Sequence, residues 1–176
     1  MGRYRVLVGD ITSDSILKGH DLIINPTNPQ MVAGAGVSGA IFKKAGVDRL
    51  EDYTQKKYDI NYFTDYYKEK NIMKIGDVRI TPGFDLNIDI MFVQGPKQWE
   101  YDNSLELLTN TYKIMLDEIY KKGYKNVLLP SLGTGEYGFE HSVVGKIITS
   151  VINEYIQDKD LNIDLVLYDE NNKAYY

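Results

Sequence analysis

The chain has 176 residues, 43% of them hydrophobic and 26% charged, with a formal net charge of −5; this is enough length for one domain with a good core and an ordinary globular composition. The acidic balance argues against a general nucleic-acid binder, which carries a basic face, but leaves room for one small anion held by backbone amides. With no cysteine, disulfides, thiolate zinc sites and cysteine nucleophiles are excluded, and no apolar run is long enough to span a bilayer.

In chain order, residues 5–8 form a short β-prone run ended by Gly9 and Asp10, and residues 21–24 form a second, stopped by Asn25 and Pro26. The opening Met-Gly-Arg-Tyr-Arg leads into a strand rather than a signal peptide, so a cytoplasmic protein is expected. The spacing predicts a helix over residues 37–44, with Val37, Ala40 and Ile41 facing inward and Gly46 at its C-terminal end. More helix is predicted over residues 48–57. Residues 58–73 are dense in aromatics and charges; they read as a helix or compact excursion packing tyrosines on the surface of the core.

Residues 76–81 alternate like a half-buried strand, Pro82-Gly83 makes a turn, and residues 89–93 are another strand closed by Gly95-Pro96. An amphipathic helix over residues 103–122 repeats Leu105, Leu108, Tyr112, Met115, Leu116 and Ile119 at helical spacing. Asn103 or Ser104 is its expected N-cap and Gly123 its stop. A strand over 126–129, a helix over 143–156 and a last strand over 163–168 complete the chain. Strands alternating with helices predict an α/β fold: a three-layer α/β/α sandwich around a mixed, mostly parallel sheet of about six strands. No linker or repeat divides it, so residues 1–176 read as a single domain.

Two glycine-rich loops, each after an apolar strand and each opening a helix, carry the chemistry. The first runs from Asn25-Pro26-Thr27-Asn28 to Gly34-Ala35-Gly36-Val37-Ser38-Gly39, and the second from Pro130 through Gly133-Thr134-Gly135-Glu136-Tyr137-Gly138-Phe139. Glycine lets backbone approach a ligand, and free amides at a helix start attract anions. Two such loops at neighbouring strand ends would clamp a diphosphate. The first loop matches G-x-G-x-x-G, but residues 26–33 separate it from the strand and no acidic residue follows at a next strand end. A nicotinamide-binding unit is therefore disfavoured, and neither loop ends as a Walker loop does.

Asn25 and Asn28 suit sugar hydroxyls, although Asn is also a common turn residue. Asp10 reads equally as a cap, a turn residue or an acceptor for a base amino group, and Tyr168 as an edge tyrosine or a stacking face. His20 lies in a polar turn and is expected to be exposed. His141 lies at a helix start behind the second loop. Neither histidine builds a metal site or a Ser-His-Asp arrangement.

Taken in order, Gly9-Asp10-Ile11-Thr12, Ile24 to Asn28, Gly34 to Ile41, Gly76-Asp77-Val78, Val93 to Pro96 and Pro130 to Phe139 resemble the macrodomain family over nearly the whole chain. The resemblance implies an ADP-ribose ligand, no metal or further cofactor, and an ADP-ribosylated macromolecule as partner to a monomer. It implies that Asp10 accepts the adenine amino group with Ile11 beside it, and that Tyr168 packs on the adenine. Asn28 would hold the distal ribose, with Asn25 supporting that loop. Amides of Gly36, Val37 and Ser38 would face the diphosphate from one side, and those of Gly133, Thr134, Gly135, Glu136 and Tyr137 from the other.

Three departures bear on catalysis. One hydrolase branch of the family has an aspartate where this chain has Ser38, and serine is no general base at neutral pH. Ala35 replaces the middle glycine of the usual triple-glycine run, and Asn-Pro-Thr-Asn replaces Asn-Ala-Ala-Asn. Some members that bind without turnover share the Pro-Thr-Asn form; other hydrolytic members lack the aspartate and rely on the substrate's own phosphate and the asparagine. Two readings result: a hydrolase acting at the distal ribose C1″ with Asn28 orienting sugar and water, or a non-catalytic ADP-ribose reader.

Overall fold

A computed structural model describes residues 1–60 and 71–176. Six strands form one sheet in the order β1-β6-β5-β2-β4-β3, built from β1 (Arg3–Val8), β2 (Leu22–Pro26), β3 (Val78–Thr81), β4 (Asp89–Val93), β5 (Asn126–Pro130) and β6 (Asn162–Leu167). Every neighbouring pair is parallel except β3 with β4 at one edge. The helices are α1 (Asp14–Leu17), α2 (Gly36–Ala45), α3 (Val47–Lys57), α4 (Ser104–Lys121) and α5 (His141–Ile156), with short 3-10 turns at Phe84–Leu86 and Glu170–Tyr175.

The central strands are apolar on both faces, as strands covered on both sides must be. Ile24, Met91, Val127 and Leu129 pack on one face against Leu108, Tyr112, Met115 and Ile119 of α4 and Val144, Ile148 and Ile152 of α5. Ile23, Ile90, Phe92 and Leu128 pack on the other face against Ile41, Phe42 and Ala45 of α2 and Leu50 of α3. Two cores on opposite faces of one sheet make the three-layer sandwich that the alternation predicts.

The differences from the sequence reading are local. Tyr168 lies just past β6 rather than ending it. Leu105, on the apolar stripe but in the first turn of α4, is exposed. Asn103 occupies the N-cap of α4 without a side-chain cap bond. Ser104 Oγ instead donates to the Tyr101 carbonyl at 2.7 Å, with the Lys97 carbonyl 3.0 Å away. The His20 side chain is not exposed: its Nε2 lies 2.7 Å from buried Asp164, a partner 144 residues away that no local pattern reveals. Of the aromatic stretch at 58–73, residues 61–70 lie outside the described residues; Ile60 and Met73, which flank them, are buried.

Candidate functional site

Because β1, β2, β4, β5 and β6 run in one direction, their carboxyl ends meet along one edge of the sheet, where open α/β sheets bind ligands. A cleft of about 450 Å³ lies there, lined from Gly9 and Ile11 after β1, Thr27 and Asn28 after β2, Gly95 after β4, residues 131–137 after β5, and Tyr168, Asp169 and Asn172 after β6. Both glycine loops line it. All the ligand-binding residues expected from the sequence line it except Asp10 and Asn25.

The first loop is shaped by Asn28, which closes a ring on Val32: Nδ2 donates to the Val32 carbonyl at 2.9 Å and Oδ1 accepts from the Val32 amide at 3.1 Å. A primary amide has two N–H donors and two carbonyl lone pairs, so one of each remains for a ligand while the side chain is fixed. Gly39 then lets α2 sit on the loop; a Cβ there would stand 2.4 Å from the Gly34 carbonyl oxygen. The first amides of a helix have no intrahelical acceptor. Those of Gly36, Val37 and Ser38, all lining the cleft, are accordingly left without a helix partner. Ser38 is buried, and its Oγ has no hydrogen-bond partner among the described residues.

The second loop is held by bonds within itself and to its neighbours. The Gly138 amide donates to the Gly135 carbonyl and the Phe139 amide to that of Gly133. The Tyr137 carbonyl accepts from the Gln98 amide at 2.8 Å. The Tyr137 phenol accepts from Gln94 Nε2 at 2.9 Å and donates to the Thr27 carbonyl at 3.3 Å, which ties the second loop to the first. Burial pushes this phenol's pKa up, against a smaller lowering by Gln94, so it stays protonated at neutral pH. The amides of Gly133, Gly135, Glu136 and Tyr137 have no protein acceptor among the described residues.

Electrostatically, the cleft offers amides rather than cations: among the described residues no lysine or arginine lines it, and the carboxylates lining it are Glu136 and Asp169. Aligned amides and a helix N-terminus solvate an anion without a formal positive charge. Among the described residues, no group of three or more His, Cys, Asp or Glu could hold a metal.

Asp10 sits at the rim beside lining Ile11. Its Oδ1 accepts from the Thr12 amide at 2.9 Å and the Thr12 hydroxyl at 2.7 Å, an Asx turn. These bonds hold its carboxyl below the usual range, so it is an acceptor at neutral pH. Asn25 is wholly buried in β2, and its side-chain amide has no partner among the described residues, so no side-chain hydrogen bond ties it to the first loop. Tyr168 is 72% exposed, with its ring at the cleft edge.

The residues that sequence reasoning missed are Gln94, His141, Ser131 and Tyr176. Gln94 was visible only as part of Val93-Gln94-Gly95-Pro96, and its bond to Tyr137 spans 43 residues. His141 lines the cleft, and its Nδ1 meets the Tyr176 hydroxyl at 2.7 Å.

The model of the Macro domain family matches residues 24–148, more than half of the chain. The chain belongs to the macrodomain family. Among relatives of this macrodomain, the O-acetyl-ADP-ribose deacetylase of Cronobacter sakazakii is 29% identical over 180 residues, covering 99% of this chain and 92% of that protein. The Escherichia coli K12 protein of the same name is 28% identical, with 99% and 93% covered. The Oceanobacillus iheyensis macrodomain, solved as a glycine-to-valine variant with ADP-ribose, superposes with a TM-score of 0.81 at 29% identity over 97% of this chain and 88% of that one. A structure of that protein with ADP superposes equally well. No described helix of this macrodomain is long and apolar enough to cross a membrane.

Proposed function

We propose that this macrodomain binds ADP-ribose in the cleft and hydrolyses ADP-ribose conjugates at the distal ribose, with O-acetyl-ADP-ribose and mono-ADP-ribosylated proteins as candidate substrates. The observation that carries this reading is the pair of amide-rich loops facing one another across a cleft that no lysine or arginine among the described residues lines. The related deacetylases and the ADP-ribose-bound neighbour support the same ligand.

In this reading Asp10 accepts the adenine amino group through Oδ2, Ile11 and Tyr168 cover the base, and the amides of Gly36–Ser38 and of Gly133, Gly135, Glu136 and Tyr137 share the diphosphate, while the Thr134 amide, expected from the sequence to join them, donates to the Ser131 carbonyl instead. Asn28 uses its remaining N–H and lone pair to orient the distal ribose and the attacking water. At a C1″ linkage the water oxygen bonds C1″, the bond to the conjugate's oxygen breaks, and that oxygen takes the proton through the neighbouring diphosphate. Preorganised dipoles at the point of charge development are the main lever available to such a site. The residues present can do this without a metal or further cofactor, acting as a monomer in the cytoplasm.

One observation favours the reader alternative. Ser38 puts a hydroxyl, not a carboxylate, at the start of α2, so that position supplies no general base. Incubation with O-acetyl-ADP-ribose and with Glu/Asp-, Ser- and nucleic-acid-linked ADP-ribose separates the two. Release of free ADP-ribose from any of them is the expected result. Binding without release over hours makes the protein a reader.

A further inference from the structure

A chain of three side chains on one wall of the cleft has no part in the reading above. The Tyr176 hydroxyl hydrogen-bonds Ser131 Oγ on one side and lies 2.7 Å from His141 Nδ1 on the other. Ser131 follows β5, His141 is the first residue of α5, and Tyr176 follows the turn after β6, so three separate segments converge. Gly145 permits the convergence: a Cβ on it would stand 2.1 Å from the Tyr175 carbonyl oxygen. Ser131 and His141 both line the cleft.

The chain fixes how His141 presents itself. Burial pushes the Tyr176 phenol up to about 12, so it keeps its proton. Burial also pushes His141 down, against a smaller opposing pull from Asp169, so the imidazole is neutral at pH 7 and carries one N–H. Each of the two contacts admits either donor; the arrangement in which Ser131 donates to Tyr176 and Tyr176 to Nδ1 leaves that proton on Nε2, which has no partner among the described residues. The sheet order sets which part of a ligand it meets. Tyr168 and Asp169 follow β6, Ser131 follows β5 and Asn28 follows β2. His141, joined to Ser131 through Tyr176 and in the field of Asp169, belongs to the Tyr168 side of that order.

We propose that His141, oriented by Tyr176, is a nucleotide-binding residue that donates from Nε2 to an oxygen on the adenosine half of the ligand. The inference rests on the ADP-ribose reading of the cleft. That oxygen, a ribose hydroxyl or the 5′-phosphate, is common to AMP and ADP-ribose. Tyr176 is a positioning residue.

Calorimetry with AMP and ADP-ribose, together with imidazole 15N spectra of the wild-type protein, tests it. His141→Ala is expected to weaken both ligands by the same factor, about three- to tenfold, the worth of one hydrogen bond. His141→Gln, which retains an amide N–H, recovers part of that loss. In the wild type the His141 15N pattern is that of the Nε2–H tautomer, and its Nε2 resonance moves when AMP is added. Tyr176→Phe mixes the tautomers and weakens AMP less than His141→Ala does. An Nε2 resonance indifferent to AMP, or His141→Ala binding AMP within about twofold of wild type, overturns the proposal while leaving the ADP-ribose reading standing. A wild-type protein that binds neither ligand overturns both.

Discussion

Asp164 shows how much one buried carboxylate can organise. Its two oxygens take Arg5 Nε and Nη2 at 2.9 Å each, His20 Nε2 stands at 2.7 Å, and Arg3 approaches to 3.7 Å. Burial alone would raise its pKa, but the bonds from Arg5 and His20 outweigh that and hold it below the usual carboxylate range. A carboxyl depressed in the folded state contributes stability that is complete above its unfolded pKa of about 4 and is lost as pH falls through the lower folded value. Asp164→Asn should therefore lose about 2–4 kcal/mol at pH 7, less than a wholly buried pair because Arg5 is half exposed. Its further loss on acidification below about pH 4 should be smaller than that of the wild type. Urea denaturation at neutral and acid pH measures both, and equal stability of variant and wild type at pH 7 would sink the assignment. At the distal ribose, Asn28→Ala is expected to lower turnover by about tenfold more than it lowers affinity, because the bond matters most at the reacting carbon. Ser38→Ala should leave turnover within about twofold; a large loss of rate would show the hydroxyl to be a participant. Both follow from comparing kcat with the dissociation constant of ADP-ribose.

Between residue and fold, the first glycine loop and α2 act as one piece, since Gly39 lets the helix backbone meet the Gly34 carbonyl. Gly39→Ala gains helix propensity but must push the loop off the helix, costing about 1–3 kcal/mol and displacing the amides of Gly36–Ser38. A lowered melting temperature together with ADP-ribose affinity reduced by at least about tenfold is the expected outcome; unchanged affinity would mean that those amides do not hold the ligand. The loop–helix joints were legible in the sequence because glycine spacing and apolar periodicity are local signals. The predicted strand at 89–93 coincides with β4, and α2, α3 and α4 begin and end within one residue of their expected bounds. What escaped is long-range: Gln94 under Tyr137, the Trp99 ring seated on Gly138, and His20 against Asp164 join residues far apart in sequence. No window of a few turns contains both partners of such a pair. The Ser131–Tyr176–His141 chain was illegible for the same reason, with the added difficulty that two of its members follow strands whose neighbours only the sheet order reveals.

For the molecule as a whole, the proposed function needs no basic patch on an acidic protein. The net charge of −5 is carried over the surface, while the cleft presents main-chain dipoles gathered from loops that only a parallel sheet brings to one edge. Fold class, the two loops and most of the lining residues could be read before any coordinates, because they depend on alternation and glycine. The posture of Asn28, the orphaned hydroxyl of Ser38 and the rim position of Asp10 could not. The central claim is that this cleft takes the whole of ADP-ribose, diphosphate and distal ribose included. Isothermal titration of the wild-type protein with ADP-ribose and with AMP tests it most directly. The account predicts that ADP-ribose binds at least about tenfold tighter, since AMP lacks the second phosphate and the sugar that Asn28 would hold. Equal affinity for the two ligands would contradict it.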